Sequence, residues 1–108
     1  LDAEMIRCMW RLYLWEAVGG EPAPFASPIH GSMAGLPPAY IEIAEFDPLR
    51  DEGEAYAKLL EQHGGKVTLV ELKGAVHGYE AVQGSELVQG VINGRLSFLN
   101  HVFTKNLT

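Results

Sequence analysis

An α/β fold with two parallel strands and about three helices is what this 108-residue sequence predicts. Three observations predict it. Two short apolar runs, residues 40–46 and 66–72, are bounded by turn residues in the manner of strands. Between them, residues 51–63 set Ala55, Tyr56, Leu59 and Leu60 on one stripe at helical spacing. A helical connection of that length makes its flanking strands parallel, with a right-handed crossover.

Residues 2–15 read as a first helix, with Asp2 in the N-cap position. Met5, Ile6, Cys8, Met9, Trp10, Leu12, Tyr13, Leu14 and Trp15 surround it on nearly every side, and only Arg7 and Arg11 mark a wet stripe. A helix this apolar is normally buried on more than one face. Cys8 is therefore expected to be a small buried apolar residue and not a nucleophile, and Trp10 and Trp15 to be core. Residues 17–38 hold five of the six prolines and four glycines, without periodicity. So long an irregular stretch is uncommon in a compact domain unless it is functional or supported by neighbouring structure.

The first strand is closed by Asp47, and Pro48 bars it from continuing. Asp51 and Glu52 suit the positive end of the following helix, Arg50 is placed for a local ion pair, and Gly64-Gly65 ends the helix. After the second strand come His77 and a loop over 78–84. Leu87, Val88, Val91, Ile92, Leu96, Leu99 and Phe103 then repeat at helical spacing, giving a last helix to about Phe103. Gly90 and Gly94 weaken it by roughly 1 kcal/mol each against Ala, so it relies on tertiary packing.

Composition narrows the partners. A hydrophobic content of 47% is enough for a core. The net charge of −6, without a cluster of Lys or Arg, argues against nucleic acid. No apolar run approaches the roughly 18 residues of a membrane span. Leu1-Asp2 opens no basic region followed by an apolar one, so no signal peptide is visible and a cytoplasmic location is the expectation. Cys8 is the single cysteine, which excludes an internal disulfide. Two parallel strands alone leave sheet edges and a face open, whereas parallel sheets are ordinarily covered on both faces and carry more strands. Together with the apolar first helix, this reads as a piece of something larger.

The candidate chemistry lies at Asp47 and His77, each just past the end of a strand. Neighbouring parallel strands lie about 4.8 Å apart, so both residues emerge at one sheet edge, where open α/β sheets place their sites. A buried carboxylate beside an imidazole fixes its tautomer and stabilises the imidazolium. The pair amounts to two thirds of a hydrolytic triad. Asp47-Pro48 is equally a common N-cap and first-turn pair, and a lone loop histidine usually bonds to backbone; residue types alone leave these readings open. His63 suits a helix C-terminus, His30 and His101 lack partners at metal-ligand spacing, and Tyr79 is placed for packing or for contact with an acyl or alcohol group. No metal or organic cofactor is called for.

The stretch Gly35-Leu36-Pro37-Pro38-Ala39-Tyr40-Ile41-Glu42-Ile43-Ala44-Glu45-Phe46-Asp47-Pro48-Leu49-Arg50-Asp51-Glu52-Gly53, continued by Glu54-Ala55-Tyr56-Ala57 and resumed at Val76-His77-Gly78-Tyr79, resembles the hormone-sensitive-lipase-like branch of the α/β-hydrolase esterases. The first helix and Ala26-Ser27-Pro28 are similar to segments of the same family. The resemblance covers nearly all of the chain but only the C-terminal third of a typical member. It implies that residues 1–108 are the C-terminal portion of an α/β-hydrolase catalytic domain, with Asp47 as catalytic acid and His77 as catalytic base. It also implies a serine carboxylesterase or lipase acting on a small ester. The family's serine stands on an upstream Gly-x-Ser-x-Gly elbow. Ser27, Ser32, Ser85 and Ser97 stand in no such elbow, and the His-Gly-Gly-Gly type motif that supplies oxyanion donors is absent. The chain alone is therefore expected to lack triad-based activity. The alternative, of another class, is a non-catalytic module that self-associates through its exposed strand edges, since pairing through the strand before the catalytic His is a dimer mode of the resembled family.

Overall fold

Alternation and turn chemistry set the central unit. In a computed structural model of the chain, which describes residues 2–14, 26–82 and 84–106, strands β1 (Ala39–Ala44) and β2 (Val67–Leu72) pair in parallel, from Ala39 opposite Val67 to Ala44 opposite Leu72. Helix α2 (Arg50–Gln62) joins them and buries Ala57 and Leu60. Gly53 is what lets α2 lie close to β1, because a Cβ there would come within 2.9 Å of Ile43 Cγ2. The helix ends as its glycines dictate: Gly64 takes a positive φ of 83°, and the Gly65 N–H donates to Leu60 O.

The last helix, α3 (Glu86–Asn106), contributes Val91 to a buried cluster with Ala44, Leu72 and Ala75, against which Val70 and Tyr79 pack. Phe98 of α3 meets the Tyr40 ring at 5.2 Å, and a Cβ on Gly94 would crowd the Tyr40 hydroxyl at 3.0 Å. Along β1, Ile43 is thus turned towards α2, while Tyr40 and Ala44 contact α3 residues. This is the two-residue period of a strand covered on both faces.

Helix α1 (Ala3–Leu14) is capped as its first residue requires, with the Met5 N–H donating to Asp2 Oδ1 at 2.9 Å. Its burial differs from expectation. None of its residues is buried, and Cys8 is exposed, because too little of the described chain lies against it. Trp10 is exposed as well, and Trp15 lies outside the described residues. Of the irregular stretch over 17–38, residues 17–25 also lie outside them; the remainder includes a single 3-10 turn, Pro28–His30, and the buried Met33. β1 ends two residues sooner than its apolar run, since the Asp47 N–H turns back to Ala44 O.

The chain exposes 8084 Å², where a folded monomer of its mass exposes about 5,900 Å². Large apolar side chains account for part of the excess, among them Met9, Leu12, Phe46, Leu96 and Phe103. No helix among the described residues is long and apolar enough to cross a membrane.

Candidate active site

Beyond the last ladder residues the two strand ends remain tied together. The Glu45 N–H donates to Leu72 O at 3.1 Å, the Phe46 N–H to Ala75 O at 2.9 Å, and the Gly74 N–H to Glu45 Oε2 at 2.7 Å. These bonds hold the turns after β1 and β2 side by side, and those turns carry Asp47 and His77. His77 Nδ1 lies 2.8 Å from Asp47 Oδ2. An ionised carboxylate only accepts, so Nδ1 bears the proton and Nε2 is the ring nitrogen left open. The Asp47 side chain is 15% exposed and that of His77 50%.

Asp47 is not the N-cap residue of α2, which is Leu49, but it shapes the turn that leads there. Its Oδ1 accepts the Leu49 N–H at 2.9 Å, and its carbonyl accepts the Arg50 N–H at 3.0 Å. The carboxylate therefore closes an Asx turn at Leu49, the residue that leads into α2, with one oxygen and reaches His77 with the other. Arg50 ties the same turn from the opposite side, donating to Glu45 O at 3.0 Å and pairing with Asp51. Pro48 forces the strand to stop, and Asp51 and Glu52 occupy the first turn of α2.

The remaining histidines stay apart from this pair. His63 Nδ1 contacts Leu59 O at the end of α2, and His30 Nδ1 contacts Ser27 Oγ. Among the described residues no group of three or more His, Cys, Asp or Glu could hold a metal ion. An open cleft of about 820 Å³ runs beside β1, bounded by Trp10, Leu14, Pro28, Ile29, Ile43 and Tyr56, with Asp47 on its wall; His77 does not line it.

A second polar cluster was not anticipated. Glu42, in the middle of β1 with its side chain 13% exposed, accepts a two-pronged contact from Arg95 of α3, with Nε at 3.1 and 3.0 Å and a terminal nitrogen at 2.6 Å. The Tyr79 hydroxyl donates to Glu42 Oε1 at 3.0 Å and accepts from Arg95 at 3.2 Å. The hydrogen bond from Arg95 leads the effects that hold the Glu42 carboxyl below its usual range. Burial, followed by the bond to Glu42, pushes the Tyr79 phenol up to about 12. The signal in the sequence was a glutamate between Ile41 and Ile43, since a carboxylate in a covered strand needs a partner.

Two parallel strands joined by a helix, with Asp47 and His77 meeting past the strand ends, match part of an α/β-hydrolase architecture. A family model described as "alpha/beta hydrolase fold" matches residues 1–81, and the chain belongs to that family, in its hormone-sensitive-lipase-like branch of esterases and lipases. Esterase LipI of Mycobacterium tuberculosis is 40% identical over 85 residues, which are 78% of this chain and 27% of LipI. Among solved structures, esterase LipW of Mycobacterium marinum superimposes with a TM-score of 0.84 at 33% identity, over 94% of this chain and 32% of LipW. A thermostable esterase of Pseudomonas putida does so with a TM-score of 0.75 at 38% identity, over 84% of this chain and 30% of that one. The chain thus spans about a quarter to a third of these relatives' length, and its strands and helices form part of the α/β-hydrolase fold.

Proposed function

We propose that residues 1–108 are the C-terminal portion of the catalytic domain of a serine carboxylesterase or lipase, and that they supply the acid and base of its triad. The observation that carries this reading is the 2.8 Å contact between His77 Nδ1 and Asp47 Oδ2. In the reaction, a serine outside this chain attacks the carbonyl of a small ester. His77 takes the serine proton through Nε2 and passes it to the leaving alcohol. A water, deprotonated by His77 in turn, then cleaves the acyl-serine bond and the serine regains its proton, while Asp47 fixes the ring's tautomer and orientation. Oxyanion donors also lie outside the chain.

The test is made on the source protein, by intact mass and by hydrolysis of a p-nitrophenyl ester. A mass about three times the 11.8 kDa of this chain, with turnover lowered by about 10⁶-fold in His77→Ala and about 10⁴-fold in Asp47→Ala, is the expected result. The isolated chain should show no triad-based turnover. Saturable hydrolysis by the isolated chain that His77→Ala abolishes would refute the division of labour.

The exposed apolar surface favours a second reading, in which the chain is a non-catalytic module that self-associates. Among the described residues β1 and β2 are each paired on one edge only, and Leu69 of β2 is exposed. Sedimentation at high concentration decides it, and a monomeric mass sinks the idea.

A further inference from the structure

The turn that carries His77 is secured before the histidine by backbone and after it by side chains. At its start the Phe46 N–H holds Ala75 O. Beyond His77, Gly78 takes a left-handed conformation, with φ 77° and ψ 19°, which reverses the chain and drives Tyr79 inward. The Tyr79 ring packs on the cluster of Ala44, Leu72, Ala75 and Val91, and its hydroxyl reaches Glu42. Arg95 bonds both Glu42 and Tyr79 and stands 3.6 Å from Glu80 of the same turn. Among the described residues the His77 side chain has one hydrogen-bond partner, Asp47, and it is half exposed, so its placement depends on the backbone on either side of it.

We infer that Glu42, Arg95 and Tyr79 are positioning residues for His77, a network that joins β1 and α3 to the turn two residues past the imidazole. Apolar packing alone would satisfy a covered strand, and an ion pair partly withdrawn from water, as here with Glu42 covered and Arg95 partly exposed, is often no more stabilising than an apolar pair. Direction is what the network adds. The guanidinium fork fixes the Glu42 carboxylate, the carboxylate fixes the Tyr79 hydroxyl, and the hydroxyl fixes the backbone that carries His77. Displacements of about 1 Å in a reacting group cost on the order of 100-fold in rate, so holding this turn matters to a proton-transfer residue. The inference rests on the Asp47–His77 pair of the proposed function, and its test separates the two.

The readout is the tautomer of the neutral His77 ring, measured by ¹⁵N NMR on the full chain. A free imidazole in water favours the Nε2–H form, whereas a bond to Asp47 requires Nδ1–H. Tyr79→Phe removes the hydroxyl and keeps the packed ring, and Arg95→Lys keeps the charge and loses the fork. Each is expected to lower the ratio of Nδ1–H to Nε2–H by about fivefold, the worth of one hydrogen bond. Val91→Ala, which trims the packing beside the Tyr79 ring and keeps every hydrogen bond of the network, should leave that ratio unchanged. A wild-type ratio in both Tyr79→Phe and Arg95→Lys overturns the inference, as does an equal fall in Val91→Ala. Should either network variant fail to fold, Glu42→Gln reads the same link with the acceptor retained, and a wild-type ratio there is equally fatal. Asp47→Ala is the control for the pair itself. If it leaves the ratio unaltered, the acid–base pair is refuted and the positioning role falls with it.

Discussion

The helical glycines offer a matched pair of substitutions whose effects should have opposite sign. Gly53 of α2 and Gly90 of α3 both sit inside helices, where Gly→Ala normally gains about 1 kcal/mol. At Gly90 a Cβ meets nothing within 4 Å, so Gly90→Ala should deliver that gain. At Gly53 the new methyl would lie 2.9 Å from Ile43 Cγ2, against an ordinary carbon contact of about 3.5–4.0 Å. Ile43 is buried and β-branched, so the rotation that would move its γ-methyl aside is restricted. Overpacking of this kind costs about 1–3 kcal/mol. Gly53→Ala is therefore expected to come out neutral to destabilising by about 2 kcal/mol, and the difference between the two variants isolates the overlap. Urea unfolding followed by far-UV circular dichroism reads it, with Gly53→Ala also made in the Gly90→Ala background to raise the baseline. Midpoints about 1 M or more apart are the expected result for a chain of this size. If both substitutions move the midpoint equally and in the same direction, the close approach of α2 to β1 is wrong.

Three further outcomes follow from the polar cluster and from α1. The Arg95 bond depresses the Glu42 carboxyl, so the stability Glu42 contributes is present above the ordinary glutamate value of about 4.3 and lost as pH falls through the lowered one. The stability gap between the wild type and Glu42→Gln should accordingly narrow in acid, and a gap that stays constant from neutral pH downward would contradict this. The Tyr79 phenol is raised to about 12, so its contribution holds below the ordinary value of about 10 and drains away as pH climbs between the two. The gap between the wild type and Tyr79→Phe should close over that interval in alkaline unfolding followed by tyrosinate absorbance. Cys8 is exposed, so the native chain should react with a thiol reagent as fast as the urea-unfolded chain does; marked protection would return α1 to the buried position its composition suggested.

The parts of this molecule legible in sequence are those governed by local rules. The strand–helix–strand unit followed from short apolar runs, a helical stripe and the punctuation of Pro48, Gly64 and Gly65, and its boundaries shifted by one or two residues. The approach of Asp47 to His77 followed from parallel pairing, because the topology alone brings the two strand ends together. The Glu42, Tyr79 and Arg95 cluster was hidden because its members come from three separate stretches of chain and meet only once α3 covers β1. Periodicity described α3 as an apolar stripe and was silent on a single arginine beside it. For α1 the rule that apolar helices are buried failed on Cys8 and Trp10, since hydropathy states what a surface favours and says nothing of what is present to cover it.

The division of labour between the two oxygens of Asp47 bears on how this scaffold can be altered. One oxygen belongs to the architecture, at the Leu49 N–H, and the other to His77. A replacement without a side-chain acceptor, such as Asp47→Ala, loosens the entry to α2 at the same time as it frees the imidazole, whereas Asp47→Asn keeps an oxygen for the Leu49 N–H. His77 has no such double duty. It is the cleaner handle on the proposed site, whereas a redesign that moves the carboxylate must first supply the Leu49 N–H with another acceptor.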